Sequence, residues 1–282
     1  MPDAPKIYKT NGDLVPFKKS KVKESLIRSG AEEGLSEEIA SDVAEKVEEK
    51  MSTTDIYSMA YSMLEKRQED ATAARYSLKR SLMKLGPTGY PFESFVGEIM
   101  REKGFGPVNV GTQMEGICVS HEVDVVAKKE NKHYLMECKF HHKTGVKTGV
   151  KVPMYINSRF EDIEKKNKAE GKKEPRHNFW VVTNTRFTDD AIEFGECMDM
   201  NLLGWRYPED EGLEKWIEDL SLHPVTCLTT LNEKEKNKLL ERKLVLCSDL
   251  ADKEDLLSTI GLSKKEIEAT KKEVNNLCNN HN

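Results

Sequence analysis

Apolar residues recur along this chain at more than one spacing, and each spacing predicts an element. Near the start, Ile7-Tyr8-Lys9 and Leu14-Val15-Pro16-Phe17 flank Asn11-Gly12-Asp13, a turn-forming triplet, which predicts a small β-hairpin. Val22, Leu26 and Ile27, behind Ser20 as the expected N-cap, predict a helix that Gly30 stops. Ser36, Ile39, Val43 and Val47 predict a second helix, Thr54-Asp55-Ile56 opens a third, and a fourth runs from about Ala71 to Leu85. Gly86-Pro87-Thr88-Gly89-Tyr90-Pro91 then breaks the pattern and marks a domain boundary.

Beyond that joint the pattern changes. Phe92, Phe95, Val96, Ile99 and Met100 stand at i, i+3, i+4, i+7 and i+8, the stripe of a core-packed helix that Gly104 ends. Strand-like runs follow at Val119 to Ala127, His133 to Phe140 and Asn178 to Asn184, the first two joined through the charged break Lys128-Lys129-Glu130-Asn131-Lys132 as a hairpin. Asp189 to Met198 reads as helix and Asn201 to Trp205 as strand. This order predicts an α/β fold with a mixed sheet flanked by helices, behind a mostly helical N-terminal domain. The expected domains are 1–88, 89–224 and a helical tail, 225–282. The tail is too short for much of a core, so it is expected to dock on the middle domain or to form a small helical hairpin.

A chain of 282 residues is long enough for about two domains. With 37% hydrophobic and 33% charged residues it reads as a soluble protein with charged faces. It has neither a bilayer-length apolar run nor, in Met1-Pro2-Asp3-Ala4-Pro5-Lys6, a secretory segment, so no membrane association and a cytoplasmic location are expected. The six cysteines are scattered without a C-x-x-C pair, which fits reduced thiols. A net charge of -5 excludes a polycation, so any nucleic-acid site must be a local basic patch.

The candidate chemistry sits on one strand. In His133 to Phe140 alternate side chains share a face, so Glu137 and Lys139 project together while Met136, Cys138 and Phe140 line the other side. Upstream, Asp124 lies among β-branched residues, where an ionised carboxylate is costly unless paired or bound to a cation. If the two strands pair, Asp124 and Glu137 converge, a site for a hard cation such as Mg²⁺, and Lys139 can hold a water or a developing phosphorane charge. The plain alternative is a surface ion pair beside a turn-adjacent aspartate.

These residues in this order resemble the PD-(D/E)xK nucleases and, within them, the Mrr-like restriction endonucleases: a helix from Phe92-Glu93 to Lys103-Gly104-Phe105, then Glu122-Val123-Asp124-Val125-Val126, then Glu137-Cys138-Lys139. The resemblance implies that Asp124 and Glu137 bind the metal, Lys139 serves the attacking water, and Glu93 completes the site. Val123 stands where the nominal motif has proline. Helical geometry favours Glu93 over Glu98, which lies farther toward solvent. Lys139, His141, His142, Lys143, Lys147 and Lys151 form a basic run, expected as a flexible loop against DNA phosphates, with Arg159 adding a contact. The paired histidines have no cysteine or acidic partner at zinc-ligand spacing.

Ile7-Tyr8-Lys9, Asn11-Gly12, Pro16-Phe17, Ser20-Lys21-Val22 and the closing Ala74-Arg75-Tyr76-x-Leu78-Lys79-Arg80 resemble an ATP-cone, a small regulatory nucleotide-binding domain. That resemblance implies phosphate contacts by Lys9 and Lys21, with Lys18 nearby and Thr54 approaching the nucleotide. Thr10 stands where a second basic residue is common. The tail resembles, more distantly, paired helix-hairpin-helix elements in Leu228 to Leu244 and Leu257 to Ser263. Together the resemblances imply a Mg²⁺-dependent DNA endonuclease, self-associating and controlled by ATP or dATP; the alternative is an inactive, nucleotide-responsive DNA-binding regulator.

Overall fold

The computed structural model describes residues 4–10, 12–67, 69–86, 88–130, 132–171 and 178–278. Asn11 of the expected turn, Pro87 of the expected joint, Asn131 of the charged break and the first three residues lie outside the described residues. In chain order the elements are β1 (Lys6–Tyr8), β2 (Leu14–Pro16), α1 (Lys19–Arg28), α2 (Glu33–Ala44), α3 (Thr53–Lys66), α4 (Asp70–Leu82), α5 (Tyr90–Glu102), β3 (Val108–Glu115), β4 (Ser120–Lys129), β5 (Lys132–Lys139), β6 (Lys147–Thr148), α6 (Lys151–Ala169), β7 (Asn178–Thr183), β8 (Arg186–Phe187), α7 (Asp189–Cys197), β9 (Asn201–Leu203), α8 (Leu213–Asp219), α9 (Glu233–Glu241), α10 (Glu254–Ile260) and α11 (Lys264–Cys278). The expected α/β class, with its hairpin, mixed sheet and helical tail, is the class observed.

The chain divides into two compact units that do not coincide with the three sequence blocks. The first gathers Met1–Ser81 with Cys227–Glu235 and Cys247–Asn282; the second holds Leu82–Thr226 with Lys236–Leu246. The tail is therefore shared between them.

In the first unit β1 and β2 pair antiparallel, Ile7 opposite Val15, and Gly12 supplies the turn with a residue at φ +89°. Ile7, Phe17, Val22, Leu26, Ile39, Val43, Ile56 and Leu64 form its core. The expected start of the first helix is displaced, and the second helix opens ahead of its first pattern residue. Lys18, not Ser20, occupies the N-cap of α1, and α2 begins three residues before Ser36, which is buried with its hydroxyl aimed at the Ala31 carbonyl. The third start is closed by a capping box, in which Ser52 and Asp55 each satisfy a backbone N–H of the other.

In the second unit the sheet runs β3-β4-β5-β7-β9, antiparallel across the first three strands and parallel from β5 outward. Strand β5 is thus its centre. On one side Phe140 packs on Phe92 of α5, ring centroids 5.5 Å apart; on the other Phe160 of α6 packs on Phe179 of β7 at 4.8 Å. Strand β3 and helix α6 are absent from the sequence reading. Residues of β3 alternate between half-buried and exposed with none fully buried, and Gly111 interrupts them, so its apolar signal is weak. Helix α6 buries Pro153, Ile156, Asn157, Phe160 and Ile163, a helical stripe masked by a proline and an asparagine. A proline in the first turn costs the helix no hydrogen bond.

Within the tail, one buried carboxylate ties α11 to the segment before α9. Glu273 of α11 is 2% exposed and accepts four hydrogen bonds, from the backbone N–H groups of Thr229 and Thr230 at 2.7 and 3.0 Å and from their hydroxyls at 2.9 and 2.7 Å. Removing the acceptor strands four donors in a dry site. Glu273→Ala is expected to destabilise the protein by ~3 kcal/mol or more, and Glu273→Gln, which keeps an acceptor, by less. Denaturant unfolding of the two variants checks the order; equal stability to the wild type would remove the anchoring role.

Candidate functional site

The β4–β5 ladder sets Val125 opposite Met136, so the next pair along places Asp124 opposite Glu137 on one face of the sheet. Asp124 reaches across the strands, its Oδ2 accepting from the Cys138 backbone N–H at 2.7 Å. Glu137 faces α6, where Arg159 donates Nη1–H to its Oε2 at 2.9 Å and Nη2–H to the Glu122 carbonyl. Both members of that ion pair are largely enclosed, with 13% and 19% of their side-chain surfaces exposed. Glu93, in the first turn of α5, comes close enough to couple electrostatically to both carboxylates. Glu98 instead pairs with Arg101 at 2.6 Å.

Like charges held together out of water resist ionisation. Burial, then the charges of Asp124 and Glu122, push the Glu93 carboxyl up to about 7. Burial and Asp124 likewise push Glu137 to about 7, although Arg159 pulls the other way. Asp124 is raised by burial, a shift opposed by the Cys138 N–H, Arg159 and Lys139. Lys139 ends β5 with its side chain exposed, while its carbonyl accepts from the Thr183 hydroxyl at 2.8 Å.

The basic segment after β5 is a loop from Phe140 to Val146 that closes on the two-residue strand β6. The strands β6 and β8 pair in parallel, and Asn184 brackets the His141 backbone, accepting from its N–H at 2.9 Å and donating to its carbonyl at 2.8 Å. The His141 ring meets the Thr148 hydroxyl at 2.9 Å, and Thr148 bonds on to Thr183 at 3.1 Å. Thr148, Thr183, Asn184 and Thr185 are buried, so this polar network fixes the segment from beneath. Lys143 and Lys147 remain exposed along it, Lys151 opens α6, and Arg159 lies two turns into that helix, bonded to Glu137 rather than held in a loop. Four polar residues, Thr148, Thr183, Asn184 and Thr185, are missing from the sequence reading because their spacing carries no motif.

Beyond Arg159, Asp162 of α6 clamps the β3–β4 turn: it accepts from the backbone N–H groups of Cys118 and Val119 and meets the His121 ring at 2.9 Å. Gly116 is required there, since a Cβ would lie 2.0 Å from Asp162 Oδ2.

In the cone the backbone bridge between Tyr8 and Ser52 brings the exit of β1, with Lys9, beside the start of α3, with Thr54. Lys18 and Lys21 stand past the opposite end of the hairpin, at an α1 N-terminus that has no acidic residue in its first turn and no side-chain cap. Exposed helix N–H groups and lysines together suit an anion. Arg80 of α4 donates to the Thr54 carbonyl at 3.4 Å and lies 3.5 Å over the Tyr57 ring, which stacks on Tyr76.

Among the described residues no group of three or more His, Cys, Asp and Glu side chains is arranged to hold a metal ion. None of the six cysteines forms a disulfide, and no described helix is long and apolar enough to cross a membrane.

The raised carboxyls carry a pH consequence. A carboxylate whose pKa rises on folding contributes stability that is full below its unfolded value and lost as pH climbs through the folded value, here from about 4.5 to about 7 for Glu93. In EDTA the wild type is therefore expected to lose thermal stability between pH 5 and 8. Glu93→Gln should flatten that slope and melt higher at pH 8. A parallel slope in the variant would show that Glu93 is not under this repulsion.

Comparison with known proteins places the chain. A family model described as the ATP cone domain matches residues 5–85, and one described as AF1548-like, C-terminal, matches residues 223–278. An uncharacterized protein of Archaeoglobus fulgidus is 37% identical over 172 residues, 61% of this chain and 92% of that protein. A solved crystal structure of a protein of unknown function, AF1548, matches at 33% identity with a TM-score of 0.56, covering 68% of this chain and 99% of its own. A relative this similar across nearly its full length, joined to the cone match, gives the assignment: the chain belongs to the AF1548-like family and carries an ATP-cone domain at residues 5–85.

Proposed function

We propose that the second unit is a Mg²⁺-dependent DNA endonuclease of the PD-(D/E)xK type, controlled by ATP or dATP bound to the cone. One observation carries the reading. Glu93, Asp124 and Glu137 come from α5, β4 and β5 into one half-buried cluster in which Asp124 raises both glutamates and Glu93 adds to the rise of Glu137, beside the exposed Lys139. Repulsion of this kind costs folding energy and is relieved by a hard cation, so it marks a site tuned for a ligand.

The donor set fits Mg²⁺, which is commonly held by one or two carboxylates and keeps several waters. Asp124 and Glu137 would hold it, and when bound the ion supplies Lewis-acid activation of a phosphodiester and a nucleophile at neutral pH. The chain's own residues do the rest. Arg159 orients Glu137 through the 2.9 Å ion pair, and the Cys138 N–H fixes Asp124 at 2.7 Å. Lys139, two residues beyond Glu137 on the same face, places an ammonium for the attacking water or the phosphorane charge. Glu93, with its carboxyl near 7, can hold or release a proton at neutral pH. Lys143, Lys147 and Lys151 suit backbone phosphates.

Nucleotide control is read from the cone. Lys9, Lys18, Lys21 and Thr54 form its phosphate-binding group, and nucleotide acts through cone packing or cone-to-cone association.

Plasmid nicking tests the chemistry. Cleavage is expected in Mg²⁺ and not in EDTA; Asp124→Ala and Glu137→Ala should abolish it, and Lys139→Ala should slow it by ~10²-fold or more. Full activity in Asp124→Ala or in EDTA overturns the assignment. Calorimetry on the full chain tests the cone, because parts of the tail belong to the same compact unit. The double variant Lys9→Ala/Lys21→Ala should lose ATP binding while retaining Mg²⁺-dependent nicking; unchanged binding in that variant would refute the phosphate assignment.

A further inference from the structure

Helix α6 buries one side and leaves the other bare. Its buried positions, Pro153, Ile156, Asn157, Phe160 and Ile163, face the core, while Lys151 and Tyr155 stand at i and i+4 on the exposed side and Arg159, at i+8, lies largely enclosed at the edge between the two. Tyr155 is 64% exposed and Met154 beside it 49%, so neither contributes much to the core. Single exposed apolar residues are ordinary on protein surfaces. Two features set this one apart. The Arg159 guanidinium lies 5.6 Å from the Tyr155 ring centroid and simultaneously bonds Glu137 at 2.9 Å, so the ring stands one side chain away from the carboxylate cluster. The surrounding chain is also charge-segregated. From Lys139 to Phe160 it carries Lys139, Lys143, Lys147, Lys151 and Arg159 and no Asp or Glu, although the whole protein has a net charge of -5.

A planar apolar ring held on a rigid helix, with cations before and after it, matches the chemistry of a nucleic-acid strand: phosphates for the cations and a base face for the ring. Base faces are covered in an intact duplex. They are available only where the strand is unpaired.

We infer that the Lys151–Tyr155–Arg159 face of α6 is a platform for single-stranded or locally unpaired DNA, on which Tyr155 stacks against an unpaired base beside the carboxylate site. This rests on the reading of that site as one directed at DNA and names its substrate class: splayed arms, flaps or single strands in preference to uninterrupted duplex. The phosphates of the stacked strand run along Lys143, Lys147 and Lys151. Arg159 keeps its bond to Glu137 and closes the platform at the reacting end.

The test measures binding separately from cleavage. Full-length protein in Ca²⁺ is titrated with a labelled single strand, a splayed-arm duplex and a blunt duplex of matching sequence, with 2-aminopurine in the unpaired arm. The splayed arm and the single strand should bind more tightly than the blunt duplex, and 2-aminopurine fluorescence should be quenched on binding. Tyr155→Ala should weaken both unpaired ligands by about 5- to 100-fold, leave the blunt duplex unchanged and abolish the quench. Tyr155→Phe should retain affinity and quench, whereas Tyr155→Leu, which keeps apolar bulk without a π face, should behave as alanine. Equal loss on blunt duplex, no loss on any ligand, full function in Tyr155→Leu, or no DNA binding at all overturns the platform. Nicking in Mg²⁺ separates the two readings. Tyr155-dependent strand binding without cleavage leaves the platform and removes the nuclease, and undiminished cleavage of splayed arms by Tyr155→Ala does the reverse.

Discussion

Three carboxylates at one end of a central sheet repel one another, and much of the second unit is arranged around that repulsion. Glu93, Asp124 and Glu137 arrive from separate elements, each partly withdrawn from water, and the protein answers with Arg159, a backbone N–H and the nearby Lys139. Arg159 reaches Glu137 because α6 packs the adjoining stripe of Ile156, Phe160 and Ile163 on the sheet. The apolar stripe of that helix therefore positions the one guanidinium that partly offsets the charge. The compensation is incomplete, since Glu137 is still pushed to about 7.

The same helix organises the rest of the face. One turn before Arg159 it presents Tyr155, and at its start Lys151; one turn after, Asp162 fastens the β3–β4 turn. On the far side of β5, the buried Thr148, Thr183 and Asn184 hold the lysine-bearing segment in a single shape. Anchored in this way, the segment carries Lys143 and Lys147 at defined points on the surface.

The first unit obeys a different constraint. Its small hairpin and four helices share a largely aliphatic core, while the AF1548-like tail is braced within itself, where Glu273 accepts from Thr229 and Thr230, and meets the cone where Arg75 donates to the Asn276 carbonyl at 3.3 Å. Cone and tail lie far apart in the chain and fold as parts of one compact body. Whatever nucleotide does to the cone, tail residues belong to the unit that feels it.

Local patterns determined much of this. The hairpin, the helix carrying Glu93, the strands of Asp124 and of Glu137 with Lys139, and the ATP-cone were legible because period-2 and period-3.6 alternation and turn residues act over a few neighbours. The pairing of Asp124 with Glu137 followed from a hairpin register. What local pattern could not reach depended on distant partners. The first helix's cap was misplaced at Ser20, since Lys18 occupies that position. Strand β3 exists because β4 offers it a ladder, although none of its own residues is fully buried and its apolar signal is weak. Arg159 read as a further phosphate contact until α6 carried it to Glu137, and no spacing within the tail foretold that α11 would bring Glu273 to Thr229. Tertiary structure decided these because a buried charge is tolerated only where its partners converge, and convergence joins residues that no local spacing relates.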